Sequence, residues 1–221
     1  MFFDVHCHLI EKTSFLTFNK NNISVIFNGL DFESNKKLLE LKKQGNVFIA
    51  LGMHPTLKFD DRVIYQIKEN RDKIIAVGEI GLDYLKVKDK EEMKRNFLKM
   101  LELAEEIKKP VIVHSRRAKG RVIEMISNFK VPVIMHSFFG TKEEFDSALK
   151  TKCYFSFSRV PAKAEDIDMD RIFLETDSPY ILKSPLDVVE NYLELSKIKK
   201  IDIKTAERQI ENNFKRVFLS N

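Results

Sequence analysis

Five histidines and two carboxylates stand where they could share one chemical task. His6 and His8 are two residues apart in Asp4–Val5–His6–Cys7–His8. His54 lies in Gly52–Met53–His54–Pro55, His114 in Val113–His114–Ser115 and His136 in Met135–His136–Ser137. Each follows or ends a short apolar run, and Glu79 and Asp177 occupy the equivalent places after two other runs. Side chains two apart on a strand face the same side, so His6 and His8 can reach one ion. Folding gives no reason for every histidine of a chain to take the same position on different strands. Imidazole is the commonest neutral metal ligand, and a mixed His/carboxylate set suits Zn²⁺ or Mn²⁺. Three protein ligands and a water would satisfy one catalytic zinc. Here His6, His8, Glu79, His114, His136 and Asp177 make six, with His54 in reserve, which points to two ions. Glu79 could bridge them through its two oxygens. Two ions sharing a water are hydrolytic machinery. Cys7 would point away from both neighbouring histidines and reads as a small buried filler.

The elements that must position these residues are legible as an alternation. Eight short runs, each β-branched or aromatic, read as strands buried on both faces: Phe2–Val5, Ile23–Phe27, Val47–Leu51, Ile74–Val77, Val111–Val113, Val133–Met135, Tyr154–Phe157 and Ile172–Leu174. Between most of them lie amphipathic stretches of helical period: Asn35–Gln44, Val63–Asn70, Lys90–Lys108, Arg121–Phe129 and Lys142–Lys150. Pro185–Ile198 and Thr205–Phe218 add two more at the end. The pattern predicts an α/β fold, a TIM-type (β/α)₈ barrel, with an open doubly wound sheet as the alternative. No Gly-rich dinucleotide fingerprint follows any strand. At 221 residues the chain is shorter than the roughly 250 typical of the barrel, and the crossovers over residues 9–22 and 159–170 look trimmed. In a barrel the C-terminal strand ends form one shared cup, and every candidate ligand falls at such an end.

Six motifs, Asp4–Val5–His6–Cys7–His8, Gly52–Met53–His54–Pro55, Gly78–Glu79–Ile80–Gly81–Leu82–Asp83–Tyr84, Val113–His114–Ser115–Arg116, Met135–His136–Ser137 and Glu175–Thr176–Asp177–Ser178–Pro179–Tyr180, resemble the TatD family of metal-dependent hydrolases, within the amidohydrolase superfamily of barrels. The resemblance runs from residue 4 to 180, and a generic helical remainder follows. It implies a deoxyribonuclease that uses two divalent metal ions (Zn²⁺, Mn²⁺ or Mg²⁺), with DNA as substrate. It implies that His6 and His8 hold one ion and His114 and His136 the other, with Glu79 shared. Asp177 would bind metal and orient or deprotonate the water, His54 would contact the phosphate or a further metal, and Arg116 would meet a non-bridging phosphate oxygen. Asp83 would orient a ligand or cap a turn. The sequence departs from the family pattern after Tyr180, where it reads Ile181–Leu182–Lys183–Ser184–Pro185, so the chemistry is better specified than the substrate. Phe138 and Phe139 could stack a base or simply pack.

Composition bounds the rest. Hydrophobic residues make up 43% and charged residues 32%, and 38 basic against 33 acidic residues leave a charge of +5, interleaved along the chain. That excludes a disordered or disulfide-stapled character, and no apolar run approaches the roughly 18–20 residues of a membrane span. The expectation is one barrel domain over residues 1–221, in the cytoplasm, without an obligate protein partner. Two other functions fit the residues less fully: a metal hydrolase of small amides, lactones or phosphoesters, and a non-catalytic barrel that keeps a metal for stability.

Overall fold

The computed structural model describes residues 1–10, 15–41, 45–86 and 89–220. Eight parallel strands alternate with helices in the order of the chain. The strands are β1 (Phe2–Cys7), β2 (Ile23–Asn28), β3 (Val47–Leu51), β4 (Ala76–Asp83), β5 (Val111–Arg116), β6 (Val133–Met135), β7 (Tyr154–Phe157) and β8 (Ile172–Leu174). Each pairs with the next, so the sheet runs β1 to β8 without a switch in order. That excludes the doubly wound alternative, whose strand order reverses at a switch point. Past the strand ends the circle is joined by backbone: Asp177 N donates to His6 O at 2.9 Å, and His8 N donates to Ser178 O at 2.8 Å. The result is a nearly closed barrel.

The helices are α1 (Phe15–Lys20), α2 (Phe32–Leu39), α3 (Arg62–Glu69), α4 (Lys90–Glu106), α5 (Lys119–Ile126), α6 (Lys142–Leu149), α7 (Val188–Lys199) and α8 (Ile203–Phe214), followed by a π-helical turn at Lys215–Leu219. α4 shows how they form. Asp89 caps it by accepting from Glu92 N at 2.8 Å, and Glu91 and Glu92 sit at the positive end of the helix dipole. Met93, Phe97, Met100, Leu101 and Ala104 recur at helical spacing and are buried. α2 begins earlier than periodicity suggests because Asp31 and Ser34 form a capping box. It ends at Leu39, with Glu40 as its C-cap, short of the predicted end at Gln44, which lies outside the described residues, as does part of the crossover 9–22. The crossover 159–170 holds two 3₁₀ turns, Ala162–Asp166 and Met169–Arg171, and no α-helix.

Four strands run further than their apolar runs, β2 only by Asn28. β1 continues through His6, β4 through Glu79 to Asp83, and β5 through His114 to Arg116. Parallel pairing carries them on, Gly81 opposite His114 and Asp83 opposite Arg116, although the side chains turn polar. Alternation along β1 assigns the faces. Phe3 packs on Phe214 of α8, ring centroids 4.3 Å apart, so Asp4, His6 and His8 look towards the barrel axis.

Candidate metal centre

The seven sequence-derived residues converge at the C-terminal mouth of the barrel. Glu79 lies at their centre. Its Oε2 is 3.4 Å from His6 Nε2 and 3.6 Å from His8 Nε2. Its Oε1 is 2.9 Å from His114 Nδ1, 3.2 Å from His136 Nε2 and 3.4 Å from His54 Nε2. Asp177 Oδ1 is 3.7 Å from His6 Nε2 and 3.5 Å from His8 Nε2. The two oxygens of one carboxylate therefore face two separate groups of imidazoles, as a bridging ligand must.

Local backbone dictates these positions. Gly81 has φ +143°, and a Cβ there would stand 2.0 Å from His114 O, so only glycine lets β4 lie this close to the strand carrying His114. Gly52 is packed against the Gly78–Glu79 backbone, where a Cβ would come 2.1 Å from Gly78 C. Asp177 sits in the left-handed region at φ 47°, tied there by its N–H to His6 O. That conformation turns its carboxylate towards His6 and His8 at a cost of order 1–3 kcal/mol.

Outer contacts set the tautomers. His8 Nδ1 donates to Asn28 O at 2.9 Å, His136 Nδ1 to Glu175 Oε1 at 3.1 Å, and His114 Nε2 to Asp83 Oδ2 at 3.2 Å. Each partner is an acceptor, so the neutral ring carries its hydrogen outward and its lone pair inward. The inward atoms of the centre are then acceptors 2.9–3.7 Å apart. Acceptors crowded in this way repel unless cations or protons sit among them. His6 Nδ1 is buried without a hydrogen-bond partner. The donor set thus fits divalent cations. Three sets of candidate ligand atoms each lie within 4.8 Å of one another among the described residues: His6, His8 and Asp177; His6, Glu79 and His136; His54, Glu79 and His114.

His54 differs from the other four. Its Nδ1 accepts from Thr56 N at 3.3 Å and faces the Thr56 hydroxyl at 2.8 Å, which leaves Nε2 as the N–H that points inward.

The charges follow from the same geometry. Burial alone would raise the Glu79 carboxyl, but His136, His6 and the hydrogen bond that a protonated His114 gives it hold it well below the usual carboxylate range. Burial opposes the charged form of His136, yet Glu175 and Glu79 push its imidazole well above the ordinary value. His114 and His8 are raised for the same reason, against burial, by Asp83 with Glu79 and by Asp177 with Glu79 respectively. His6 is pushed down by burial and by His136. Asp177, although burial favours its neutral form, is held low by His8, His136 and His6.

Asp83 does both things its position allows. Oδ2 accepts from His114, and Oδ1 accepts from Leu85 N and Lys86 N at 2.9 and 3.1 Å, capping the turn. Arg116 is exposed at the mouth, and among the described residues its guanidinium makes no ion pair. Cys7 is fully buried, as a filler should be.

Four structural partners, Glu175, Asp4, Asn191 and Tyr192, were not assigned from the sequence. Glu175 orients His136. Asp4, whose carboxyl burial pushes well up, accepts from Thr176 N, Thr176 Oγ1 and His6 N at 3.0, 2.6 and 3.2 Å, and so staples β1 to the segment after β8. On α7, Asn191 Nδ2 donates to Glu175 O at 2.7 Å, and Tyr192 Oη accepts from Phe3 N at 2.9 Å. The helical remainder therefore braces β1 and the segment after β8 that carries Glu175 and Asp177. Glu175 and Asp4 stand inside motifs quoted above, two residues from a ligand candidate, and that was the available signal.

The family model described as TatD related DNase matches residues 3–219. An uncharacterized metal-dependent hydrolase of Methanocaldococcus jannaschii is 30% identical, over 95% of this chain and 94% of its own length. The protein named "Putative deoxyribonuclease tatdn3" of Danio rerio is 27% identical, over 98% of this chain and 97% of its own. Among solved structures, a TatD homolog from Escherichia coli superposes with a TM-score of 0.84 at 21% identity, covering 100% of this chain and 98% of that one. This last likeness is one of fold.

Proposed function

The chain belongs to the TatD family of metal-dependent hydrolases, and from that premise we propose that it is a deoxyribonuclease that uses two divalent metal ions to hydrolyse phosphodiester bonds. The observation that carries the reading is Glu79, whose two oxygens face two imidazole groups with Asp177 beside the first. His6, His8 and Asp177 would hold one cation, His114 and His136 the other, and Glu79 both. Divalent cations held there would supply Lewis acidity to a phosphoryl oxygen and would lower the pKa of an attacking water. The DNase names of the family model and of the relative from Danio rerio support DNA as the substrate.

This chain's own groups do the rest. The Asp177 carboxylate, low in pKa and therefore ionised, accepts the proton of the attacking water. His54 Nε2–H donates to a non-bridging phosphate oxygen, its orientation held by Thr56. Arg116, which lines the same cavity, meets a second such oxygen, a charge-assisted contact suited to phosphate. Glu175 and Asp83 keep His136 and His114 in the tautomers a cation needs. Water attacks phosphorus, the bond to the leaving strand oxygen breaks, and that oxygen takes up a proton from solvent.

The test is release of nucleotides from DNA by protein stripped with EDTA and reloaded with Mg²⁺, Mn²⁺ or Zn²⁺. Release should appear on reloading and stop with EDTA. His114→Ala combined with Asp177→Asn should abolish it. Undiminished release by that double variant would sink the mechanism. Turnover of a small ester with no action on any form of DNA would replace the substrate.

A further inference from the structure

Three successive backbone carbonyls in the turn between β2 and α2 reach three members of the centre. Asn28 O accepts from His8 Nδ1 at 2.9 Å, Gly29 O from Glu79 N at 3.3 Å and Leu30 O from His54 N at 2.8 Å. His8 stands just past β1, Glu79 within β4 and His54 just past β3. One turn that supplies no candidate ligand thus holds residues from three parts of the barrel. If it shifts, its donors must follow or lose their bonds, because a hydrogen bond weakens steeply with distance and angle.

Asn35, in the first turn of α2, fixes this segment. It is fully buried, and its side-chain amide closes a ring of two hydrogen bonds with the Gly52 backbone. Nδ2 donates to Gly52 O at 2.9 Å, and Gly52 N donates to Oδ1 at 3.1 Å. The same amide lies against the turn: a Cβ at Gly29 would stand 1.9 Å from Asn35 Oδ1. Gly52 in its turn rests on the Gly78–Glu79 backbone. Ser34 Oγ closes the turn from the other side, accepting from Leu30 N and Asp31 N at 2.8 and 2.9 Å. Asparagine is a poorer helix former than alanine, since its side chain competes for backbone groups. Here that side chain is committed to a neighbouring strand end.

We infer that Asn35 is a positioning residue for the metal centre: through Gly52 and the Asn28–Leu30 turn it sets where His8, Glu79 and His54 stand, and with them the affinity for divalent cations. The inference rests on the two-cation reading of the centre. Asn35 is enclosed, so it meets no substrate and acts only through the residues it holds.

Asn213 supplies the matched comparison. It is also fully buried, and its Nδ2 donates to two backbone carbonyls, Met169 O at 2.8 Å and Ile172 O at 2.9 Å. Those lie where β8 begins, at the opposite end of the barrel from the centre. Asn35→Ala and Asn213→Ala should each lower the Tm of EDTA-stripped protein by a few degrees. Isothermal titration with Mn²⁺, at a temperature where circular dichroism shows both variants folded, should separate them. Asn35→Ala should lose roughly 10–100-fold in affinity. Asn213→Ala should stay within about two-fold of the unaltered protein, as a distant site does. Gly29→Ala should also weaken binding, because its methyl group displaces the Asn35 amide. Added to Asn35→Ala it should do little further harm, the two acting as one unit. If Asn35→Ala yields no folded protein, Asn35→Ser is read in the same way. Mn²⁺ affinity in the Asn35 variant no weaker than in Asn213→Ala would overturn the inference, as would additive losses in the Gly29 and Asn35 pair. Cation binding by the unaltered protein would then still stand. An unaltered protein that binds no divalent cation would instead overturn the two-cation reading.

Discussion

The imidazoles of the centre are poised between protons and cations. Without metal, Glu79, Glu175 and Asp83 hold protons on His136 and His114 more tightly than a free imidazole does, although burial opposes it. A raised histidine pKa stabilises the folded state below the unfolded value of about 6.5, and that stability is lost as pH rises through the folded value. Metal binding needs the neutral rings, so its contribution runs the other way and grows with pH. The difference in Tm between metal-loaded and EDTA-stripped protein should therefore widen from about pH 6 to about pH 8, as differential scanning fluorimetry would show. Glu175 sets the His136 tautomer through a single contact. Glu175→Gln should cost roughly 10–100-fold in metal affinity, by isothermal titration, because an amide turns towards Nδ1 either its NH₂ group or a weaker acceptor.

At the level of elements, the decisive contact is between β4 and β5. The strands are paired at Gly81 and His114, and the glycine lets the His114 carbonyl approach to a distance no Cβ tolerates. Gly81→Ala should push the strands apart at the point where Glu79 and His114 must meet. The clash is with backbone, which cannot rotate away. The expected outcome is a loss of several kcal/mol of stability, or of soluble protein altogether, and a fall in metal affinity in whatever folds. A variant with unaltered Tm and unaltered affinity would show that the strands have more room than the distance of 2.0 Å allows.

For the whole molecule, the core that holds the barrel and the ligand candidates at its mouth act in opposite directions. Strands, helices and a core with Phe27, Phe97, Phe155 and Tyr192 fully enclosed hold the fold. The crowded acceptors at the mouth oppose it. Chelation should consequently lower Tm without unfolding the protein at room temperature. At free metal about 100 times Kd the stabilisation is ~2.7 kcal/mol per site, on the order of a few degrees for a chain of this length. Far-ultraviolet circular dichroism of the stripped protein should retain the loaded spectrum at 25 °C; its collapse would make the metal part of the fold. No helix among the described residues is long and apolar enough to cross a membrane.

Composition and order along the chain were enough for the barrel and for the roster at its mouth. Eight apolar runs separated by helical periods have few ways to bury both faces of every strand, and the histidines and carboxylates fall at the same end of six of them. Strand limits were less legible at β1, β4 and β5, because backbone pairing continues where side chains have already turned polar. What the order of residues could not decide is direction. That Glu79 presents one oxygen to each imidazole group, that His54 turns an N–H inward while His114 turns a lone pair, and that Phe138 is core while Phe139 faces solvent depend on contacts between residues far apart in the chain. Asp83 with His114, Glu175 with His136 and Asp4 with Thr176 are such pairs. Residue type fixes what a side chain can donate or accept. Only closure of the barrel fixes what it meets, because a hydrogen bond or a ligand bond requires a partner within about 3 Å, and distance is set by the fold.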